Sequence, residues 1–516
     1  MTDAPEPADI CFILEGTYPF VAGGVSSWVN QLIVRLPELK FGIVHLSPRE
    51  GFYEGDHAYK LPDNVVWLHE VFLQRPRSRA SILGSPLPPD AITSFWNFAS
   101  EIRRGNSSTF GDYVASMRDL GNGPLPSAWD FLLTRDSWDV LVDVYQREAP
   151  QESFLNFFWT WHFAYQPLLN VLTFPMPEAG MYHTVSTGYA GILAAAARLT
   201  HNRPAILTEH GIYTKERRIE IHSADWIPES NSSGVFIDSA APYFKQFWNA
   251  HFQVMSRICY EHADEIFTLY SGNAHAQIRD GAAADKIRVI PNGIAVERMR
   301  EPAELYAARP ENERFTVGFI GRVCPIKDVR TLVAAMRLVA KEVPDVLVRV
   351  LGPMEEDPQY AADCKHFAHE LGLDDNVCFE GRVNVPMELP SLDVVVLTSI
   401  SEAQPLVVLE AGAVGLPVVT TDVGCCRDLL GGKSPEDRAI GEGGLITPIA
   451  SPGATAKAVL QLWADPDLRR QMGLNLKRRV ERFYAQADMI DAYGEIYRRH
   501  AGLAPVDGGT GPGEER

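Results

Sequence analysis

Arg322 and Lys327 share the short stretch GRVCPIK. An arginine can grip phosphate oxygens in a bidentate fashion, and a lysine adds a compact point charge. Together they suit a diphosphate; two solvated surface cations are the competing reading. Glu402 and Glu410 follow in SEAQPLVVLE. Carboxylates accept hydrogen bonds from sugar and ribose hydroxyls. Two unrelated surface glutamates would be the plainer account, but Glu410 sits inside the apolar run PLVVLEAGAVG, where a carboxylate needs a partner or a ligand. Pro405 suits a first helical turn, so a helix is expected from there to about Gly415. Glu402 then falls in the preceding loop and Glu410 on the second turn. The N–H groups of Ala403, Gln404 and Leu406 would face the ligand side, ready for oxyanions or sugar hydroxyls.

The first half offers other devices. Gly23 and Gly24 in VAGGV let backbone approach a ligand at a helix N-terminus. They do not make the G-x-G-x-x-G fingerprint, which disfavours an NAD-dependent enzyme. His210, in TEHGIY, could donate to a ligand hydroxyl or carbonyl; a structural histidine is an equal reading, and Glu209 beside it is as open. No DxD metal site is present. Glu355–Glu356–Asp357 and Asp374–Asp375 read as solvated turns or helix starts, so no metal is expected. G-x-S-x-G is absent too.

These residues need strands behind them. Short apolar runs at Asp9–Glu15, Phe41–Leu46, Val65–His69, Met181–Val185, Ala205–Thr208, Glu265–Leu269 and Ile287–Ile290 alternate with helical stretches such as Ser26–Leu36 and Gly188–Leu199. A second series, Thr316–Ile320, Leu347–Leu351, Val377–Glu380, Val394–Thr398, Pro417–Thr421 and Gly444–Thr447, alternates with helices at Asp328–Lys341, Asp357–Leu371, Pro405–Ala413 and Pro452–Trp463. Such alternation predicts an α/β chain with two Rossmann-like doubly wound domains. The expected domains are 1–300, with an aromatic insertion at about 72–165, and 301–484. A C-terminal helix at 485–500 is expected to pack back on the first domain. Ile212–Phe247 reads as helix plus mobile loop near the cleft, and 501–516 as a disordered tail.

The bulk properties exclude several classes. A formal charge of −19 over 516 residues argues against non-specific nucleic-acid binding. The start, MTDAPEPADI, lacks a signal peptide's basic and apolar regions, and no run approaches the ~20 apolar residues that span a bilayer. Seven scattered cysteines fit reduced thiols, with Cys425–Cys426 opening a helix. A cytoplasmic location is expected.

The order of Gly23–Gly24, Pro291–Asn292–Gly293, Gly321–Arg322…Lys327 and Glu402-x7-Glu410 resembles retaining glycosyltransferases of the GT-B fold, family 4, over about residues 9–500. A narrower resemblance is to the glycosyltransferases of Pel exopolysaccharide synthesis. It is carried by EGTYPFVAGGVSSWVNQLI, EHGIYTKERRIEI, SISEAQPLVVLEAGAVGLPVVTTDVG and the aromatic insertion. The resemblance implies a cleft between the two domains, with UDP-sugar as donor substrate and no cofactor. It further implies that Arg322 and Lys327 hold the diphosphate, that Glu410 takes ribose, and that Glu402 and the amides after it take the sugar. His210 would lie near the reacting carbon, Gly24 near the diphosphate, and Arg382 and Val383 near the base. A hexosyltransferase acting on a polysaccharide acceptor is expected, with inner-membrane proteins as further partners. The sugar would be an N-acetylhexosamine, with glucose as the alternative. A UDP-sugar epimerase and a non-catalytic nucleotide-binding subunit share the fold and stay open. One departure is Ile294–Ala295, where the family often has Asp after Pro-Asn-Gly.

Overall fold

The computed structural model describes residues 6–53, 57–75, 89–118, 127–224, 227, 243–310 and 314–504. They fall into two units. Unit 1 draws on Met1–Thr268, Ala274–Val289 and Ala492–Arg516, and unit 2 on Leu269–Asn273 and Ile290–Asp491. Each is built on one all-parallel sheet, and helices lie between most successive strands.

In unit 1 the strands are β1 (Ala8–Glu15), β2 (Phe41–Arg49), β3 (Val65–Gln74), β4 (Ala179–Thr184), β5 (Ala205–Glu209), β6 (Glu265–Thr268) and β7 (Ile287–Val289), in the order β3-β2-β1-β4-β5-β6-β7. The middle of β1 is buried, which is why it reads as an unbroken apolar run rather than an alternating one. The order reverses between β1 and β4, the switch point where such sheets open a ligand crevice. The loop after β1 leads through Gly23 into helix Gly24–Arg35, and His210 follows β5 directly.

Strand β3 runs five residues past the expected end at His69, because VFLQ continues the ladder beside β2. The insertion is helical among the described residues. Its longest helix, Phe154–Leu172, lies on β3. Trp96 and Trp161 stack at 5.1 Å in its core, and Trp96 Nε1 donates to Ser137 at 2.7 Å. The expected helix after Ile212 is Tyr213–Ser223; the mobile loop expected beyond it falls mostly on 225–226 and 228–242, outside the described residues. The tail is likewise outside them from 505 onward. Helix Gln486–Ala501 brings Tyr493 into hydroxyl contact with Thr208 at 2.9 Å and Tyr497 with His183 Nδ1 at 2.8 Å.

Unit 2 contains β8 (Thr316–Ile320), β9 (Leu347–Leu351), β10 (Val377–Gly381), β11 (Val394–Leu397), β12 (Val418–Thr421) and β13 (Gly444–Thr447), in the order β10-β9-β8-β11-β12-β13. Helix Leu406–Val414 starts one residue later than expected, with Pro405 as its N-cap, and ends at left-handed Gly415. Its partner is a helix the sequence reading left out, Pro466–Phe483. That helix is charged around most of its surface and buries only a narrow stripe, including Met472, Leu476 and Val480. Arg479 is fully buried there. It donates to Asp437 Oδ1 at 2.6 Å and to the carbonyls of Leu430 and Gly441.

Candidate functional site

Four loops of unit 2 leave the carboxyl ends of β8, β9, β10 and β11. Two glycines set their spacing. Gly352 has φ +155°, and a Cβ there would lie 2.0 Å from Gly321 O, so the loops after β8 and β9 touch backbone to backbone. Gly424 has φ +54°, and its Cβ would lie 2.4 Å from Glu402 O and 2.3 Å from Ala403 O. Only glycine fits either place. The 402–404 loop is also tied by Cys425 N–H to Ala403 O at 2.9 Å; Cys425 N-caps helix Cys426–Gly431, as its position suggested.

A cavity of about 300 Å³ opens among these loops, with Gly321, Lys327, Ser399, Glu402, Gln404 and Leu406 in its wall. Lys327 closes a tight turn, Pro325–Lys327, pinned when Thr398 Oγ1 donates to the carbonyls of Lys327 (3.1 Å) and Asp328 (2.9 Å). Its ammonium donates to Glu402, which also accepts from Ser399 Oγ at 2.7 Å. Diphosphate cation and sugar carboxylate were expected as separate groups. The structure joins them as a pair, so an incoming anion must compete with Glu402 for Lys327.

Gln404 has a second duty that its spacing did not reveal. Its side-chain amide accepts from Asn292 N–H at 2.8 Å and donates to Asn292 O at 3.0 Å, holding the Pro-Asn-Gly loop. The backbone N–H groups of Ala403 and Gln404 donate to no described group, and that of Leu406 is among those an α-helix leaves unbonded at its start. Glu410, on the second turn, has no hydrogen-bond or ion-pair partner among the described residues, and burial raises its pKa above the usual carboxylate range. The need for a partner that its apolar setting suggested is therefore unmet by the described residues.

Arg322 pairs with Glu356, and Arg382 lies 3.9 Å from Glu355. Sequence reading missed these acidic partners, which it took for a solvated turn. The turn is solvated as expected, with Glu355 and Glu356 exposed, and Asp357 starts helix Pro358–Glu370 by accepting from Tyr360 N–H at 2.9 Å. Both pairs are open to water and hence weak. Val383 is partly buried against the apolar cluster of Leu351 and Leu389.

The remaining expected residues belong to unit 1. Gly23 N-caps helix Gly24–Arg35 in extended backbone that any residue adopts. A Cβ on Gly23 or Gly24 would meet nothing within 4 Å, so the chain's own packing does not demand glycine here. His210 packs edge-on against Trp28 at 4.8 Å, and burial pushes its imidazole down to about 4, leaving it neutral near pH 7. Glu209 proves structural. It accepts from Tyr213 N–H, Tyr260 Oη and Gln277 Nε2, and burial pushes it up to about 7. Also missed was Glu15, at the carboxyl end of β1, which accepts from Tyr213 Oη at 3.5 Å and lies 3.9 Å from Arg217. An acidic residue closing the run DICFILE was its only signal. Among the described residues, no three His, Cys, Asp or Glu side chains converge as metal ligands would.

Residues 8–285 match the family described as "Domain of unknown function (DUF3492)", which covers more than half of the chain. The chain belongs to the DUF3492 family. Beyond that domain, residues 314–465 of this DUF3492 protein match "Glycosyl transferases group 1", the segment holding the cavity of unit 2. A D-inositol 3-phosphate glycosyltransferase of Paenarthrobacter aurescens is 33% identical over 231 residues, covering 42% of this chain and 53% of that protein. The DUF3492 protein thus spans about half the length of that relative. An alpha-maltose-1-phosphate synthase of Mycolicibacterium smegmatis is 28% identical over 336 residues, covering 61% and 78%. Among solved structures, Anabaena Alr3699/HepE in complex with UDP and glucose superposes with a TM-score of 0.57 at 14% identity over 95% of this chain and 99% of that one. Sucrose-phosphate synthase from Thermosynechococcus elongatus gives 0.57 at 17% identity over 95% and 98%. At such identities the likeness establishes the fold, which is GT-B.

Proposed function

We propose that this DUF3492 protein is a retaining glycosyltransferase of family 4 that transfers a sugar from a UDP-sugar to a saccharide acceptor. The observation that carries the reading is the convergence in unit 2 of Lys327, Glu402 and the backbone amides of Ala403 and Gln404 on loops that follow parallel strands, with Glu410, which has no partner among the described residues, on the helix that continues from them. Cations and amides suit a diphosphate, and the carboxylates suit hydroxyls. The group 1 glycosyl transferase match and the sugar-transferring relatives support the same reading. HepE, found with UDP and glucose, supports UDP as the nucleotide.

In this scheme Arg322 and Lys327 take the diphosphate, Glu410 the ribose, Glu402 the sugar, and Arg382 with Val383 borders the base. The bond from the anomeric carbon to phosphate oxygen breaks, leaving oxocarbenium character on the sugar and charge on UDP. Fixed cations and N–H groups stabilise that charge. The acceptor oxygen bonds to the anomeric carbon from the leaving-group face, and its proton passes to the departing phosphate. The Pel-like segments and the aromatic insertion favour an exopolysaccharide as product and an N-acetylhexosamine as the sugar.

Calorimetry with UDP, ADP and GDP tests the donor. UDP should bind most tightly, and Arg322→Ala or Lys327→Ala should each weaken it by about 1.5–3 kcal/mol, the range for hydrogen bonds to charged groups. No preference for UDP, or unchanged affinity in both variants, would sink the reading. Turnover of UDP-sugar without any acceptor would favour an epimerase instead.

A further inference from the structure

Unit 1 holds a cavity of its own, of about 540 Å³, within the range of pockets that take small organic ligands. Helix Phe154–Leu172 of the insertion, helices Tyr213–Ser223 and Tyr243–His262, and the carboxyl ends of β2 and β3 frame it. Phe163, Tyr189, Trp248 and Phe252 supply aromatic wall. Trp248 and Phe252 stack at 5.7 Å with planes 22° apart, and Tyr189 meets Phe252 edge-on at 6.3 Å. Arg217 and Glu220 supply the charges. The guanidinium lies over the rings of Tyr213 (4.9 Å) and Phe252 (5.8 Å), donates to Glu220 at 2.6 Å, and has Glu15 at 3.9 Å.

This composition selects the ligand's chemistry. An anion would have to displace two carboxylates from one guanidinium. A cation would meet that same guanidinium. A wholly apolar ligand would cover Arg217 and Glu220 and offer them no hydrogen bond. A sugar ring fits both halves of the wall: its C–H face lies on aromatic rings, and its hydroxyls donate to a carboxylate and accept from a guanidinium. We propose that the cavity is a saccharide-binding site for an uncharged sugar or short oligosaccharide, with Arg217 and Glu220 as its hydroxyl partners. That its occupant is the acceptor rests on the transferase reading; the binding itself does not.

The insertion gains a purpose from this site. Phe163 is 45% exposed, and Trp159 (50%) and Leu155 (63%) continue its face of the helix at four-residue spacing. Trp159 and Phe163 stack at 5.9 Å. An oligosaccharide longer than the cavity has an apolar track to follow outward.

The purified full chain would be probed with an array of uncharged hexose and N-acetylhexosamine oligosaccharides, and hits measured by calorimetry beside dodecyl phosphate and UDP. Phe163→Ala and Glu220→Ala change exposed side chains and should fold normally, as circular dichroism would check. At least one saccharide should bind saturably, and each variant should weaken it at least fivefold with UDP affinity unchanged. No saccharide binding, saccharide affinity unmoved in both variants, or preference for dodecyl phosphate would overturn the proposal. Saccharide binding without UDP binding would overturn only the transferase reading.

Discussion

Glu402→Gln should separate nucleotide binding from sugar transfer. Glu402 holds the Lys327 ammonium in a pair whose side chains are 13% and 20% exposed, and it accepts from Ser399. The amide keeps the shape and an oxygen for Ser399 but removes the charge that competes with diphosphate. A hydrogen bond to a charged group contributes about 1.5–3 kcal/mol. With one side of the pair facing an open cavity, about 1 kcal/mol of that should pass to UDP. That is a gain of roughly fivefold in Kd. Transfer should fall by about 10²–10³ in kcat, the usual cost of losing one preorganised group that acts on the reacting centre. Calorimetry with UDP and initial rates at saturating donor measure the two. Raising salt should shrink the affinity gain, because an ammonium freed of Glu402 is screened. If UDP affinity falls in step with turnover, Glu402 serves the nucleotide or the fold, and the reasoning fails.

Three further outcomes concern the scaffold. Burial pushes folded Glu209 up to about 7 from an ordinary carboxylate value near 4.5, so its stability contribution is fullest below about 4.5 and is lost as pH rises through 7. The loss should approach about 3 kcal/mol, and Glu209→Gln should flatten it in thermal melts across that window. Asp437→Ala leaves the buried Arg479 guanidinium without its carboxylate and should cost about 3–5 kcal/mol in urea unfolding. Gly424→Ala places a methyl against the carbonyls of Glu402 and Ala403 at a left-handed position; it should weaken UDP binding and lower the melting temperature, whereas intact affinity would show that the 402–404 loop tolerates displacement.

The sequence revealed most where burial was symmetric. Strands β8, β9 and β13 have coinciding expected and observed bounds; β8 is buried throughout, and β9 and β13 keep their apolar residues at least partly covered. Glu410 stood out for a related reason, as a lone charge in an apolar helix. What stayed hidden depends on long-range pairing. Lys327 and Glu402 lie 75 residues apart, and Arg322 and Glu356 lie 34 apart. No local pattern joins them. Helix Pro466–Phe483 escaped because its few buried residues sit among Arg, Lys and Glu, and one of those, Arg479, is itself buried. Strand β3 was cut short because its last residues looked like the start of the aromatic insertion.

The grip of Gln404 on Asn292 reaches only peptide atoms, one N–H and one carbonyl. Such a clasp is indifferent to the side chain it holds but strict about the number of residues leading up to it. Position 292 should therefore drift in composition more readily than the Pro-Asn-Gly segment does in length, whereas Gly293 is held to glycine because a Cβ there would lie 2.5 Å from Ala485 O. A single-residue deletion between Val289 and Ile294 would shift the clasp onto the wrong peptide and draw the 402–404 loop with it. The site is in this sense calibrated by chain length, and a change of one residue far from it in sequence would detune it.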